Sequence, residues 1–176
     1  MGQSMKKFLV TGGLGFIGVN YISYLLKKKN ILILNLDKCS YASNLEVNKI
    51  FIKYKNYQFI KVDISSKLQI SKIIFNFKPD VVVNFAAETH VDNSIKKSEN
   101  FIKSNILGTH SLLDAFKDYL KTDKMQNKIF FQISTDEVFG DIKNNYYKTK
   151  ESDIYAPSSP YSSSKASADM LVKAWN

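Results

Sequence analysis

Short apolar runs alternate with longer segments of mixed polarity along most of this chain. The runs Lys7–Thr11, Ile31–Leu36, Gln58–Val62, Val81–Phe85 and Ile129–Ile133 are rich in Val, Ile, Leu and Phe and nearly unbroken in hydrophobicity. A half-exposed strand would alternate, so such runs predict strands buried on both faces of a parallel sheet. Between them lie Phe16–Lys29, Leu45–Tyr54, Lys67–Phe77 and Glu99–Leu120, with apolar positions three and four apart. That spacing marks one face of a helix. Ile102, Ile106, Leu112, Leu113 and Phe116 are the clearest set. Strand–helix alternation over five units predicts an α/β fold, a doubly wound parallel sheet with right-handed crossovers.

Asp141–Ser159 breaks this rhythm. It is polar, aromatic and proline-bearing at Pro157, and reads as a long loop of the kind that often carries function. A last helix is predicted from about Tyr161 to Ala174. A full dinucleotide-binding sheet of this type has six strands; five are legible here. Residues 1–5 therefore read as an extension, residues 6–176 as an incomplete nucleotide-binding domain, and a C-terminal substrate domain as absent.

Composition narrows the classes. The chain has 176 residues and is 44% hydrophobic, which suits one domain with a sizeable core. No apolar run approaches the ~18 residues of a membrane span, and the start is too short for a signal peptide. The single cysteine, Cys39, excludes an internal disulfide framework and a cysteine metal cluster, so a cytoplasmic location is expected. His90 and His110 are far apart and lack ligand spacing, so no metal is expected. The net charge is +9, yet all 25 basic residues are Lys and they are dispersed. Arg dominates base and bidentate phosphate contacts, so the charge reads as a solvated surface rather than a nucleic-acid site. An anionic substrate would still benefit from this field.

Thr11-Gly12-Gly13-Leu14-Gly15-Phe16-Ile17-Gly18 follows the first strand and opens the first helix. Gly12 permits a tight turn, Gly15 lets backbone approach a pyrophosphate, and Gly18 lets helix and strand pack closely. The helix N-terminus then offers free N–H groups to the phosphates. In this strand–loop–helix context the pattern predicts a dinucleotide site of Rossmann type. Asp37 ends the second strand, 19 residues after Gly18. A carboxylate there accepts from adenosine ribose hydroxyls and repels a 2′-phosphate, favouring NAD over NADP. Lys38 works against that preference, because a cation at that spot tolerates the phosphate; Asp37 as a turn cap is the bland reading. Asp63 and Ile64, after the third strand, are placed to meet the adenine edge, or Asp63 caps the next helix.

Tyr161 and Lys165 are four apart and share a helix face. A phenol with a pKa near ~10 is a poor base, but a nearby ammonium lowers that value. Such a pair can take a proton from a sugar hydroxyl while the carbon is oxidised by nicotinamide. On its own it is a common surface pair; after a nucleotide loop it points to catalysis. Thr135-Asp136-Glu137 lies at the exit of the fifth strand, where ligands bind in open α/β sheets. Thr135 can hydrogen-bond the reacting hydroxyl. Asp136 and Glu137 add an acid and a base that simple hydride transfer does not need, provided their surroundings hold one protonated and one ionised. The alternative is that they cap a turn.

These residues resemble the extended short-chain dehydrogenase/reductase superfamily, and most closely its nucleotide-sugar 4,6-dehydratases. The resemblance is carried by Thr11–Gly18, Asp37–Glu46, Phe85–Asp92, Ser104–Thr109, Ser134–Gly140 and Tyr155–Lys165, and covers nearly the whole chain after residue 5. It implies oxidation at sugar C4 with Tyr161 taking the hydroxyl proton, helped by Thr135 and Lys165. Glu137 then removes the C5 proton, Asp136 protonates the departing C6 hydroxyl, and C6 is reduced by the same cofactor. It further implies NAD contacts at Phe16, Ile17, Asp37, Lys38, Cys39, Ser40, Asp63, Ile64, Phe85, Ala86, Ala87, Thr89 and Ser104, with Thr89 also near the substrate, a nucleotide sugar. A homodimer through helices that include Glu99–Leu120 and the Tyr161 helix is implied too. Thr89 stands where Ser is more usual, Phe139 where Tyr is, and Ser104 where Thr is. Family members run to about twice this length, so turnover by this chain alone is an open expectation. A 4-epimerase shares the glycine loop and the Tyr/Lys pair but needs no Asp136-Glu137, and a non-catalytic NAD-binding fragment is the third reading.

Overall fold

The computed structural model describes residues 5–122, 127–141 and 146–175. The extension reading, apart from Met5, and residues 142–145 of the long loop lie outside the described residues. In chain order the elements are β1 (Lys6–Thr11), α1 (Phe16–Leu26), β2 (Ile31–Asp37), α2 (Leu45–Phe51), β3 (Tyr57–Lys61), α3 (Lys67–Phe77) and β4 (Val81–Asn84). There follow α4 (Val91–Lys96), α5 (Ser98–Phe101), a π-helical segment (Ile102–Leu107), α6 (Gly108–Thr122), β5 (Ile129–Gln132), a 3₁₀ turn (Asp136–Phe139) and α7 (Pro160–Ala174).

The five strands form one parallel sheet in the order β3-β2-β1-β4-β5. Leu9 of β1 pairs with Leu34 of β2 and Val82 of β4. Successive side chains of a strand point to opposite faces, and the core divides accordingly. Leu9, Leu34, Leu36 and Val82 pack with Ile70, Ile74 and Phe77 of α3 and Leu112 and Phe116 of α6. Val10 and Ile33 pack on the other face with Ile22 and Leu25 of α1, Phe51 of α2 and Tyr57. Each such side chain contributes about 1.5–3 kcal/mol on burial.

Burial on both faces holds for β1, β2 and β4 but not for the edge strands. Phe131 of β5 is 56% exposed. Its neighbour Phe130 packs 6.0 Å from Phe116, so helices cover only one face of β5 among the described residues. The predicted helix Glu99–Leu120 is also more segmented than its periodicity suggests. Within it the π-helical segment Ile102–Leu107 separates α5 from α6, which runs on to Thr122; ahead of it Lys97, at φ −143°, separates α4 from α5. α1 ends at Leu26 rather than Lys29, with Asn30 left-handed at φ +58°. The described part of the long loop runs back along the 3₁₀ turn: Ala156 N–H donates to the Val138 carbonyl at 3.0 Å, and Tyr155 meets Phe139 edge-to-face. Among the described residues no helix is long and apolar enough to cross a membrane.

Candidate functional site

A cleft of about 520 Å³ opens at the carboxyl ends of the strands. The turn after β1 forms its floor. Gly12 has φ +65°, and a Cβ there would sit 2.6 Å from the Ala86 backbone, so the left-handed turn and the close approach of the β4 loop both require glycine. A Cβ on Gly18 would lie 2.5 Å from the Gly12 carbonyl oxygen, so the close packing expected of helix on strand falls instead between the helix and the glycine loop. Gly13 N–H donates to Asn35 Oδ1 at 3.1 Å and Leu14 N–H to Asp37 Oδ2 at 3.0 Å, fastening the loop to β2. At the start of α1, Gly15 supplies no side-chain cap and the first turn has no acidic residue. Its free N–H groups and positive end therefore face the cleft. Phe16 is 87% exposed there, an apolar side chain with no partner in the fold's interior.

Seventeen of the eighteen predicted cofactor residues line this cleft: Gly12, Gly15, Phe16, Ile17, Gly18, Asp37, Lys38, Ser40, Asp63, Ile64, Phe85, Ala86, Ala87, Thr89, Ser104, Tyr161 and Lys165. Cys39 does not; it sits left-handed at φ +60° with its thiol toward the Asp37 carbonyl. The Asp37 carboxylate is buried and accepts from three protein donors, Leu14 N–H, Cys39 N–H at 2.8 Å and Ser43 Oγ at 2.8 Å. It is thus a turn cap as well as a charge beside the cleft. Asp63 accepts from the Ser65 N–H and hydroxyl at 2.9 and 2.8 Å, while Ser66 holds the N-cap position of α3. Burial pushes the Asp63 carboxyl up, but the Ser65 bonds and the Lys38 and Lys103 charges outweigh it and hold it below the usual range.

Tyr161 and Lys165 stand in the first turns of α7. Ser159 and Ser162 form a reciprocal cap, each hydroxyl accepting from the other's backbone N–H at 3.0 Å, and Pro160 opens the helix. Tyr161 is 7% exposed and its ring meets Phe101 edge-on. Burial pushes its phenol up, a hydrogen bond with Thr135 pulls it down, and the Glu137 and Asp136 carboxylates push it up again. The net direction is upward, opposite to the lowering expected from Lys165. Geometry gives the reason: the Lys165 ammonium donates to the Ile133 carbonyl at the end of β5. Burial pushes that ammonium down, with Asp169 pulling it back up.

Thr135, Asp136 and Glu137 follow β5 as predicted but do not line the cleft. Thr135 Oγ1 accepts from the Glu137 N–H at 3.3 Å and caps the 3₁₀ turn. Both carboxylates of the turn are exposed. They nonetheless lie close enough to Tyr161 to act on its phenol, so the structure gathers the five predicted catalytic residues around one end of the cleft.

Several residues with structural roles here escaped the sequence reading. Asn105, 1% exposed, accepts the Glu88 N–H at 2.8 Å, donates to the Glu88 carbonyl at 3.0 Å, and donates to Ser164 Oγ at 2.8 Å. Asp169 accepts from Ser134 Oγ and from the Tyr155 hydroxyl at 3.2 Å. Its place four residues after Lys165, on the same helix face, was the available signal. Lys38 pairs with Glu88 across 50 residues of sequence, and no local spacing announces it.

A profile of the family described as GDP-mannose 4,6 dehydratase matches residues 9–176. The dTDP-glucose 4,6-dehydratase of Neisseria gonorrhoeae is 41% identical over 176 residues, which cover 98% of this chain and 51% of that protein. Among solved structures, the Bacillus anthracis dTDP-glucose 4,6-dehydratase in complex with NAD superposes with a TM-score of 0.81 at 38% identity, covering 97% of this chain and 50% of that one. The Thermus thermophilus UDP-glucose 4-epimerase complex with NAD gives 0.82 at 26%, covering 96% and 50%. The chain spans about half the length of the relatives it matches.

Proposed function

The chain belongs to the GDP-mannose 4,6-dehydratase family of extended short-chain dehydrogenases/reductases, and on that premise we propose that it is the NAD-binding, catalytic portion of a nucleotide-sugar 4,6-dehydratase acting on a dTDP- or UDP-glucose. The observation that carries the reading is the placement of Asp136 and Glu137 beside Tyr161, Thr135 and Lys165 at one end of a glycine-floored cleft. The cleft suits NAD: a free helix N-terminus for the pyrophosphate, Asp37 at the ribose side, and Asp63 with Ile64 at the adenine side. NAD bound there supplies the oxidant for sugar C4 and afterwards the reductant for C6.

The chain's own residues do the rest. Tyr161 takes the C4 hydroxyl proton, and Thr135 orients that hydroxyl through the same hydrogen-bonding group that meets the phenol. The Lys165 ammonium donates to the Ile133 carbonyl, and in this reading it turns from there to the Tyr161 oxygen as the phenolate charge forms, stabilising it at that moment. The 4-keto group acidifies C5, Glu137 removes the C5 proton, and Asp136 gives a proton to the departing C6 hydroxyl, which leaves as water. Reduction at C6 and a solvent proton at C5 complete a 4-keto-6-deoxy sugar. Cytoplasmic location and homodimerisation belong to the same reading; the apolar groove between Ile106, Tyr155, Pro157, Met170 and Leu171 supports a pairing face on α7.

A 4-epimerase is the second reading, favoured by the similarity of the fold to that of an epimerase. The test is to titrate the chain with NAD by calorimetry and then supply dTDP-glucose and, separately, UDP-glucose in deuterated water. The dehydratase reading expects NAD binding and a 4-keto-6-deoxy product carrying solvent deuterium at C5, lost in Glu137→Gln. A 4-epimer without loss of water decides for the epimerase. NAD binding with neither product decides for a non-catalytic NAD-binding portion, and no NAD binding overturns the cofactor assignment.

A further inference from the structure

We propose that Glu88 makes the cleft selective for NAD over NADP by holding the Lys38 ammonium away from an adenosine 2′-phosphate. The inference rests on the cofactor reading above and deepens it. Asp37 alone does not settle the preference. Its carboxylate is a fixed negative charge at the ribose side, but Lys38 follows it directly and lines the same cleft. A free ammonium there would pair with a phosphate monoester.

The ammonium is not free. Lys38 Nζ lies 2.5 Å from Glu88 Oε1, with side chains 35% and 14% exposed. Lys38 follows β2 and Glu88 follows β4, the strands on either side of β1. The pair therefore joins the two loops that flank the glycine turn. Glu88 is delivered from a fixed backbone, because the Asn105 side chain grips both its N–H and its carbonyl. For Lys38 to turn to a 2′-phosphate it must release Glu88, and that carboxylate then faces the same dianion.

The experiment measures Kd for NAD and for NADP by calorimetry on the full chain, as wild type, Glu88→Gln and Lys38→Met. The wild type is expected to prefer NAD. Glu88→Gln frees the ammonium, and the ratio Kd(NADP)/Kd(NAD) is expected to fall about tenfold, the scale of one charge-assisted hydrogen bond. Lys38→Met leaves Glu88 facing the ligand, and the ratio is expected to rise. Both substitutions break the same ion pair, so a contact that merely braces the loops would move the ratio in one direction in both. A ratio that moves the same way in both variants, or stays put in Glu88→Gln, overturns the inference while NAD binding by the wild type leaves the cofactor reading standing. A wild type that prefers NADP overturns the inference as well, and one that binds neither dinucleotide overturns both.

Discussion

Asn105 Nδ2 donates to Ser164 Oγ at 2.8 Å, joining the π-helical segment to α7 through a buried bond. The same side chain makes two bonds to the Glu88 backbone, so one amide fixes both the β4 loop and the helix that carries Tyr161 and Lys165. Ser164 in turn donates to the Tyr161 carbonyl at 2.6 Å. Asn105→Ala strands buried polar groups on both sides, each costing about 1–3 kcal/mol when left without a partner. The expected outcome is a lower urea midpoint with an unchanged slope, measured by equilibrium unfolding. A midpoint equal to wild type would mean that other groups satisfy these atoms.

Tyr57 ties the phosphate loop to the outer strands and makes stability sensitive to alkali. Its hydroxyl accepts from Asn35 Nδ2 and donates to Asn48 Oδ1, each at 2.9 Å, and Asn35 in turn holds Gly13. Burial pushes the phenol up to about 12 from 10.0, against the Asn35 bond and with smaller upward effects from Asp37 and Cys39. A raised phenol contributes stability that is fully present below pH 10 and is lost as pH rises toward about 12. The loss across that window is about 2–3 kcal/mol. Tyr57→Phe is expected to be less stable at neutral pH and to lose stability less steeply between those values. Parallel unfolding curves for the two proteins across the window would refute the assignment.

The sequence carried the parts of the fold that repeat locally, and the site wherever function follows from a strand end. The end of β1 at Thr11 was legible, and those of the other four strands to within one residue, because apolar runs stop where chemistry-bearing residues begin, as at Thr11 and Asp37. The edge exposure of Phe131 was not legible, since an apolar run looks the same whether one face or two are covered. The direction of the Tyr161 phenol was missed for a similar reason. Helical spacing places Lys165 on its face but does not say that the Ile133 carbonyl takes the ammonium. Lys38–Glu88 and Asn105–Ser164 join residues 50 and 59 apart in sequence, and only the folded sheet brings them together.

Gly12 offers the sharpest test of the cleft floor. An alanine there must adopt φ +65° and place a Cβ 2.6 Å from the Ala86 backbone. Strain at a left-handed position costs about 1–3 kcal/mol, and the contact can be relieved only by moving the β4 loop. Gly12→Ala is therefore expected to lower the melting temperature and to abolish NAD binding together. NAD titration by calorimetry checks it; near-native affinity would show that the β4 loop yields without cost.

Asp169 joins three parts of the Tyr161 end of the cleft through one side chain. Its Oδ2 accepts from Ser134, the residue before Thr135, and from Tyr155 in the loop entering α7. Its charge also raises the buried Lys165 ammonium against the effect of burial. The two contributions separate by substitution. Asp169→Asn keeps an acceptor of the same shape and removes the charge, so the Lys165 ammonium should titrate at lower pH than in wild type. Competitive acylation across pH, read by mass spectrometry at Lys165, measures this directly. Asp169→Ala removes the acceptor as well, at about 1–3 kcal/mol for the stranded hydroxyls. Hydrogen exchange should then rise in residues 133–139, which include the 3₁₀ turn Asp136–Phe139, and change little in β1 and β2. Wild-type Lys165 titration in Asp169→Asn, combined with faster exchange in Asp169→Ala, would assign Asp169 a bracing role alone; no change in either would remove both roles.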